Sequence, residues 1–492
     1  MNKNLIFIGA LMMVAFSASS AETKQPNIVL IIADDLGYKD LGYMGNQYIR
    51  TPNIDKLATQ SMDFTNAYAA CTVCLPTRSS LMTGKNPTSL GINSLHDRLP
   101  KDGIKMLPEE LNKRGYQSVA LGKWHINREG YNSGEYMPVL AGFDKEIGVN
   151  HAGQPASYFS PFVKKEFTSG YLSKTNITTL KGYPEGAFLT DVLSAEAAKY
   201  IKEVDKSKPF FVYMSYYAVH TPIMGKKDKI DYYKSIEDPD NQNSPQFAAL
   251  VESMDDGVGT ILKAVEESGV ADNTVVIFMS DNGGLDPVSN NGILRWGKGA
   301  SYEGGTRTAF LFKWPGVTKV GAKADQIITS ADIAPTLAEI AGAEWGIPSK
   351  PGVGGYSFVP VLKDPDAKSG RDVIYWEYLT RQFVPSYFRV PARAVRQGDW
   401  KLIRLLKSPG IEDHYELYNL KNDLGENNNL AAKMPEKLND LKTLMAGFVD
   451  NSKAPKYDED EYCKRVNASL ARERKQKEMQ AKKKKEAFPA DI

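Results

Sequence analysis

The chain has 492 residues, 42% hydrophobic and 24% charged, which is enough to bury a sizeable core in one large domain plus a smaller companion. Its formal net charge is +2, yet ten Lys and Arg against three Glu lie between Lys464 and Glu486, so the remainder carries −5 and does not have the basic body of a nucleic-acid-binding chain. Three cysteines (Cys71, Cys74, Cys463) are too few for a disulfide framework.

In chain order, residues 1–21 come first. Lys3 precedes an apolar run over 5–16 that is too short to cross a bilayer, and Ser19-Ser20-Ala21 supplies small residues. This predicts a signal peptide cleaved after Ala21 and a periplasmic or secreted protein. No cysteine follows for a lipid anchor, and no other long apolar run predicts stable membrane insertion. Then "NIVLIIADDLG" runs into Asp34 and Asp35. The pattern of a short apolar run ending in polar residues returns three times: "QSVALGKWH" runs into Lys123 and His125, "PFFVYMSYYAVHTP" into His220, and "NTVVIFMSDNGG" into Asp281 and Asn282. Continuous apolar runs of this length read as strands buried on both faces.

Helical patterns separate these runs. They are "TPNIDKLATQ", "LPEELNKRG", "FLTDVLSAEAAKYIKEV" and "SPQFAALVESMDDGVGTILKAVEESG". The alternation predicts an α/β domain over 22–365 with a largely parallel sheet sandwiched by helices. Ligands of such sheets bind beyond the carboxyl ends of the strands, where all four polar clusters fall. The irregular stretch 148–183 has the length and polarity of a functional loop, and His151 within it is a substrate-contact candidate. After a polar linker around 363–372, "DVIYWEY", "ARAVRQGDWKLIRLL" and "HYELYNL" predict a small antiparallel sheet. A helix near "MPEKLNDLKTLMAGF" closes this α+β subdomain, residues 371–463, and 464–492 form a solvated basic tail.

The stretch "CTVCLPTRSSLMTG" (71–84) allows more than one chemistry. Cys71 and Cys74 could form a redox C-x-x-C pair. Alternatively, Pro76 suits a helix's first turn and leaves Cys74 at the N-terminus, where a thiolate is favoured. Neither account uses Arg78 or Thr83-Gly84.

Cys74-Leu75-Pro76-Thr77-Arg78 with Thr83-Gly84 resembles the C-x-P-x-R-x-x-x-x-T-G signature of formylglycine-dependent (type I) sulfatases, members of the alkaline phosphatase superfamily. Asp34-Asp35, "GKWH", "HTP", "SDNGG" and "GKGASYEGGTR" fit the same resemblance, which spans about residues 25–450. It implies an alkaline-phosphatase-like fold and hydrolysis of an organic sulfate ester, with a sulfated carbohydrate as the expected substrate. It also implies oxidation of Cys74 to formylglycine by a maturation enzyme and one Ca²⁺ held by Asp34, Asp35, Asp281, Asn282 and residue 74. Hard oxygen donors suit calcium better than zinc. By the same resemblance Arg78 and Lys123 orient formylglycine, His125 takes the proton that releases sulfate, and His220 and Lys298 bind sulfate and assist the leaving oxygen. The rival readings are a formylglycine-dependent phosphonate monoester or phosphodiester hydrolase, a non-catalytic glycan-binding protein, and, last, a thiol–disulfide oxidoreductase.

Overall fold

The computed structural model describes residues 24–450 apart from 133, 242–243, 349, 380–389 and 408–410, together with 458, 460, 463, 464 and 467. The segment expected to be a signal peptide and, beyond Lys464 and Asn467, the basic tail lie outside the described residues.

Fourteen strands are present among the described residues: β1 (Asn27–Ala33), β2 (Met62–Phe64), β3 (Ala67–Tyr68), β4 (Gln117–Gly122), β5 (Lys145–Ile147), β6 (Phe210–Ser215), β7 (Thr274–Ser280), β8 (Phe310–Lys313), β9 (Lys323–Ala324), β10 (Ile328–Thr329), β11 (Val373–Tyr378), β12 (Ala392–Gln397), β13 (Trp400–Leu405) and β14 (His414–Asn419). Eight of them form one sheet in the order β5-β4-β6-β1-β7-β8-β2-β9. β5, β4, β6, β1 and β7 run parallel, whereas β8 lies antiparallel to both β7 and β2. All four predicted apolar runs are therefore adjacent parallel strands with their carboxyl ends on one edge.

The runs are continuous in apolar residues because both faces are covered. Along β1, Val29, Ile31 and Ala33 pack into one core, with the helices Leu189–Glu203 and Pro245–Glu267. Ile28, Leu30 and Ile32 point into the other, with the helices Cys74–Thr83 and Ile333–Ile340. At about 25 cal/mol per Å², each fully buried Leu or Ile contributes roughly 1.5–3 kcal/mol to this three-layer stack. The C-terminal sheet, β11-β12-β13-β14, is antiparallel throughout, and the helix Pro435–Asp450 packs on one face through Leu441, Met445 and Phe448.

Candidate active site

The helix Cys74–Thr83 carries the cysteine signature. Cys74 is its first residue, all ten of its residues are buried, and Gly84 ends it with φ +61. A Cβ at Gly84 would stand 2.5 Å from Trp345 Nε1, so both conformation and space demand glycine there. Cys74 and Arg78 are one turn apart and share a face. The C-x-P-x-R spacing thus aims both side chains at the sheet edge.

Arg78 is fully buried. Its Nε and Nη2 each lie 2.8 Å from Asp281 Oδ2, and its Nη1 reaches the Lys123 carbonyl at 2.9 Å and Ser215 Oγ at 2.5 Å. The other cations pair with the other carboxylates. Lys123 Nζ donates to Asp34 at 2.6 Å, and Lys298 Nζ grips both Asp35 oxygens at 2.6 and 2.7 Å. Three buried carboxylates therefore face three buried cations. Burying any one alone would cost several kcal/mol.

Burial pushes the Asp34 carboxyl up to about 8 against the pull of Lys123, with Asp281 and Asp35 adding to the rise. Burial also acts upward on Asp35, but Lys298, His220 and Lys123 outweigh it and hold that carboxyl below its ordinary range. Asp35 and His125 adopt φ +64 and +52, left-handed backbone that is uncommon outside glycine and that clusters at functional sites.

His125 Nδ1 lies 3.3 Å from Cys74 Sγ. Burial, then Lys123 and Arg78, keep this imidazole well below its usual range and so neutral. In "GKWH" the intervening Trp124 points away, its Nε1 donating to the Tyr136 carbonyl at 2.7 Å. His220 places Nε2 3.6 Å from Asp35 Oδ2, while its Nδ1 is held by the Thr221 carbonyl at 3.0 Å and Thr221 Oγ1 at 3.1 Å. That is a physical reason for threonine after histidine in "HTP".

An acceptor-rich centre of this kind fits a hard cation. Asp34 Oδ1 and Asn282 Oδ1 are buried and accept no hydrogen bond. Donor atoms of Asp34, Cys74 and Asp281 lie within 4.8 Å of one another, as do those of Asp34, Asp35 and His220. Asn282 directs its amide nitrogen at Asp35 Oδ1, 2.8 Å away, leaving its oxygen for the centre.

The structure thus brings Asp34, Asp35, Cys74, Arg78, Lys123, His125, His220, Asp281, Asn282 and Lys298 into one cluster. His151 is not among them. It is exposed, and its Nδ1 lies 2.5 Å from the Gly134 carbonyl. Sequence reasoning missed Ser215 and Thr221, which hold Arg78 and His220. Cys71 is a core residue beside Val73 and Tyr378. It and Cys74 are both free, and burial pushes the Cys71 thiol up, which disfavours the thiolate that a redox pair would use.

An α/β sheet whose strand ends present a nucleophile at a helix terminus, a hard-cation pocket and a ring of buried cations defines a hydrolase of anionic esters. The comparisons sharpen that class. The family model described as Sulfatase matches residues 26–343, and that of the N-sulphoglucosamine sulphohydrolase C-terminal region matches 295–451. The chain is 33% identical to a sulfatase of Formosa agariphila, across 85% of this chain and 87% of that one. It is 30% identical to human arylsulfatase A, across 88% and 89%. The crystal structure of Ps i-CgsB, solved also in complex with k-i-k-neocarrahexaose, superposes with a TM-score of 0.73 at 31% identity, covering 89% of this chain and 95% of that one. The chain belongs to the sulfatase family and is a sulfuric ester hydrolase with the alkaline-phosphatase-like fold.

Proposed function

We propose that this sulfatase removes sulfate from a sulfated carbohydrate, using a formylglycine formed at Cys74 by a maturation enzyme and one calcium ion, in the periplasm or outside the cell. The observation that carries the reading is the placement of Cys74 Sγ within 4.8 Å of the Asp34 and Asp281 oxygens and 3.3 Å from His125 Nδ1. Support for the substrate class comes from the neocarrahexaose bound by Ps i-CgsB and from the 30% identity to human N-acetylgalactosamine-6-sulfatase.

Asp34, Asp35, Asp281 and Asn282 would hold the calcium, whose charge polarises a sulfate oxygen and the nucleophile. A hydrated aldehyde at position 74 would supply the hydroxyl that attacks sulfur as the alcohol leaves and a second hydroxyl whose deprotonation would expel sulfate and restore the aldehyde, a release step that a serine lacks. The chain's own residues do the rest. Arg78 fixes the helix terminus against Asp281 and keeps residue 74 aimed at the pocket. Lys123 and Lys298 present ammonium groups to the anionic ester. His125 Nδ1, neutral and beside position 74, takes the proton whose loss starts release. His220 Nε2, with Nδ1 engaged by Thr221, faces the oxygen that must leave.

The test is mass spectrometry of the peptide containing residue 74 from the native host, paired with sulfate-release assays on sulfated saccharides. Only unmodified thiol in active enzyme would sink the mechanism. Faster turnover of phosphonate or phosphodiester substrates would favour the rival hydrolase. Saccharide binding without turnover by matured protein would favour the glycan-binding reading.

A further inference from the structure

We infer that Lys401, on the C-terminal sheet, is a positioning residue for Lys298: through Glu303 it sets where the loop carrying that lysine, and so its ammonium group, stands in the site. This rests on the reading of Lys298 as a sulfate-binding group and deepens it by naming what holds that group in place.

Arg78 sits on the Cys74 helix and Lys123 follows β4, whereas Lys298 lies in the loop between β7 and β8. The backbone of that loop is held from two sides. The Lys298 N–H donates to the Gly284 carbonyl at 2.9 Å, and the Gly299 N–H donates at 2.8 Å to the carbonyl of Thr72, two residues before Cys74. Against the same loop packs the single helical turn Glu303–Thr306. Its two glycines leave no room. A Cβ on Gly304 would overlap the Trp296 carbonyl oxygen, and one on Gly305 would overlap the Ala300 carbonyl oxygen, with the Gly297 oxygen 2.6 Å away. The Gly305 carbonyl also accepts from the Gly283 N–H, one residue past Asn282, at 3.1 Å. Contacts this close transmit a shift of the turn to residues 296–300.

Glu303 begins the turn, is fully buried, and is engaged from several elements. Its Oε1 accepts from Lys401 Nζ at 2.8 Å, and its Oε2 accepts from the Tyr68 hydroxyl at 2.7 Å and from Arg307 Nη1 at 3.0 Å. Its N–H donates to Glu426 Oε2 at 2.6 Å, and Lys401 Nζ lies 3.0 Å from the other oxygen of Glu426. Lys401 therefore meets Glu303 twice, directly at the side chain and by way of Glu426 at the backbone. Lys401 is itself fully buried in β13, with Nζ 5.4 Å from the centre of the Trp376 ring of β11. The second sheet thus grips the turn against which the Lys298 loop rests.

Stability alone does not call for such a cluster. Apolar side chains of similar volume often fill a buried joint as well or better, whereas paired charges with fixed hydrogen bonds admit few arrangements. Position is what the site needs, because a displacement of about 1 Å can cost on the order of 10² in rate even when its cause lies far from the chemistry.

The experiment measures binding of inorganic sulfate by calorimetry to active, full-length enzyme in saturating calcium. It compares wild type, Lys401→Met, Lys298→Ala and the variant carrying both, each well below its own Tm. Lys401→Met is expected to raise the sulfate Kd about 5-fold in the wild-type background and less than about 2-fold in the Lys298→Ala background, because its effect passes through Lys298. The variant Lys401→Met with Glu426→Gln removes one charge of each sign. It should show the same rise, and it carries the test if Lys401→Met alone does not fold. An unchanged Kd in these folded variants overturns the inference. So does an equal rise in both backgrounds, which would mean that Lys401 merely stabilises the joint between the sheets. If Lys298→Ala binds sulfate as tightly as wild type, the reading of Lys298 as a sulfate-binding group fails instead, a result separate from either outcome for Lys401.

Discussion

Arg78 ties three parts of the site together. Its guanidinium serves Asp281, the Lys123 carbonyl and Ser215 at once, without solvent. A lysine supplies one point charge and no fork, so Arg78→Lys is expected to cost about 3 kcal/mol of stability and at least ~10² in kcat, read by urea unfolding and steady-state assay. His220→Ala is expected to depress kcat/KM more for a sugar sulfate than for an aryl sulfate, by about 10² or more, because a phenolate leaves with less proton assistance. Equal losses on both substrates would leave His220 as a binding residue only. Most charged members of the site were legible in the sequence because they follow a strand end or sit one helical turn from Cys74, whereas Lys298, in the loop between β7 and β8, was read from the family resemblance alone. Ser215 and Thr221 were not, since a neutral residue acting by contact alone carries no spacing signature. His151 shows the reverse: a histidine in the right loop whose ring turns to Gly134.

At the scale of elements, the parallel strands could be read because burial on both faces writes unbroken apolar runs. The short strands β2, β5 and β9, two or three residues each, left no such trace, and the antiparallel insertion of β8 depends on partners that local pattern does not encode. The joint between the two sheets was equally hidden. Glu303, just after the Lys298 loop, pairs with Lys401 of β13 at 2.8 Å, and Lys401 also lies 3.0 Å from Glu426. Arg307 and Arg396 join Glu303 through Tyr68, and the Glu303 N–H donates to Glu426 at 2.6 Å. Burial pushes the Glu426 carboxyl up to about 7, against Lys401 and aided by Glu303. A carboxyl raised on folding stabilises the protein while protonated in the folded state. Its contribution is full below its unfolded value near 4.5 and is lost as pH rises through 7. Glu426→Gln should therefore flatten the stability profile between about pH 4.5 and 7 in thermal melts. An unchanged slope would refute the assignment.

For the whole molecule, a bound cation couples the site to global stability. A calcium ion that binds only the folded state at 100 times its dissociation constant adds about 2.7 kcal/mol, so chelation should lower Tm and activity together, and calcium should restore both. Asn282→Ala leaves no charge unpaired, and beyond the lower metal-free Tm expected from losing its hydrogen bond to Asp35 it should shrink the calcium-dependent Tm shift. If zinc restored activity and calcium did not, the hard-donor assignment would be wrong. The buried helix Cys74–Thr83 carries a further consequence, one of timing. With Cys74 only 1% exposed and its helix packed beneath the sheet, the finished fold hides the segment that the proposed maturation enzyme would have to grasp. Under that proposal conversion and folding would compete for the same nascent chain, and a molecule that folds first would be locked out of catalysis. Adding maturation enzyme to folded, unconverted protein should rescue nothing, whereas adding it during refolding from denaturant should yield activity in proportion to the chains intercepted.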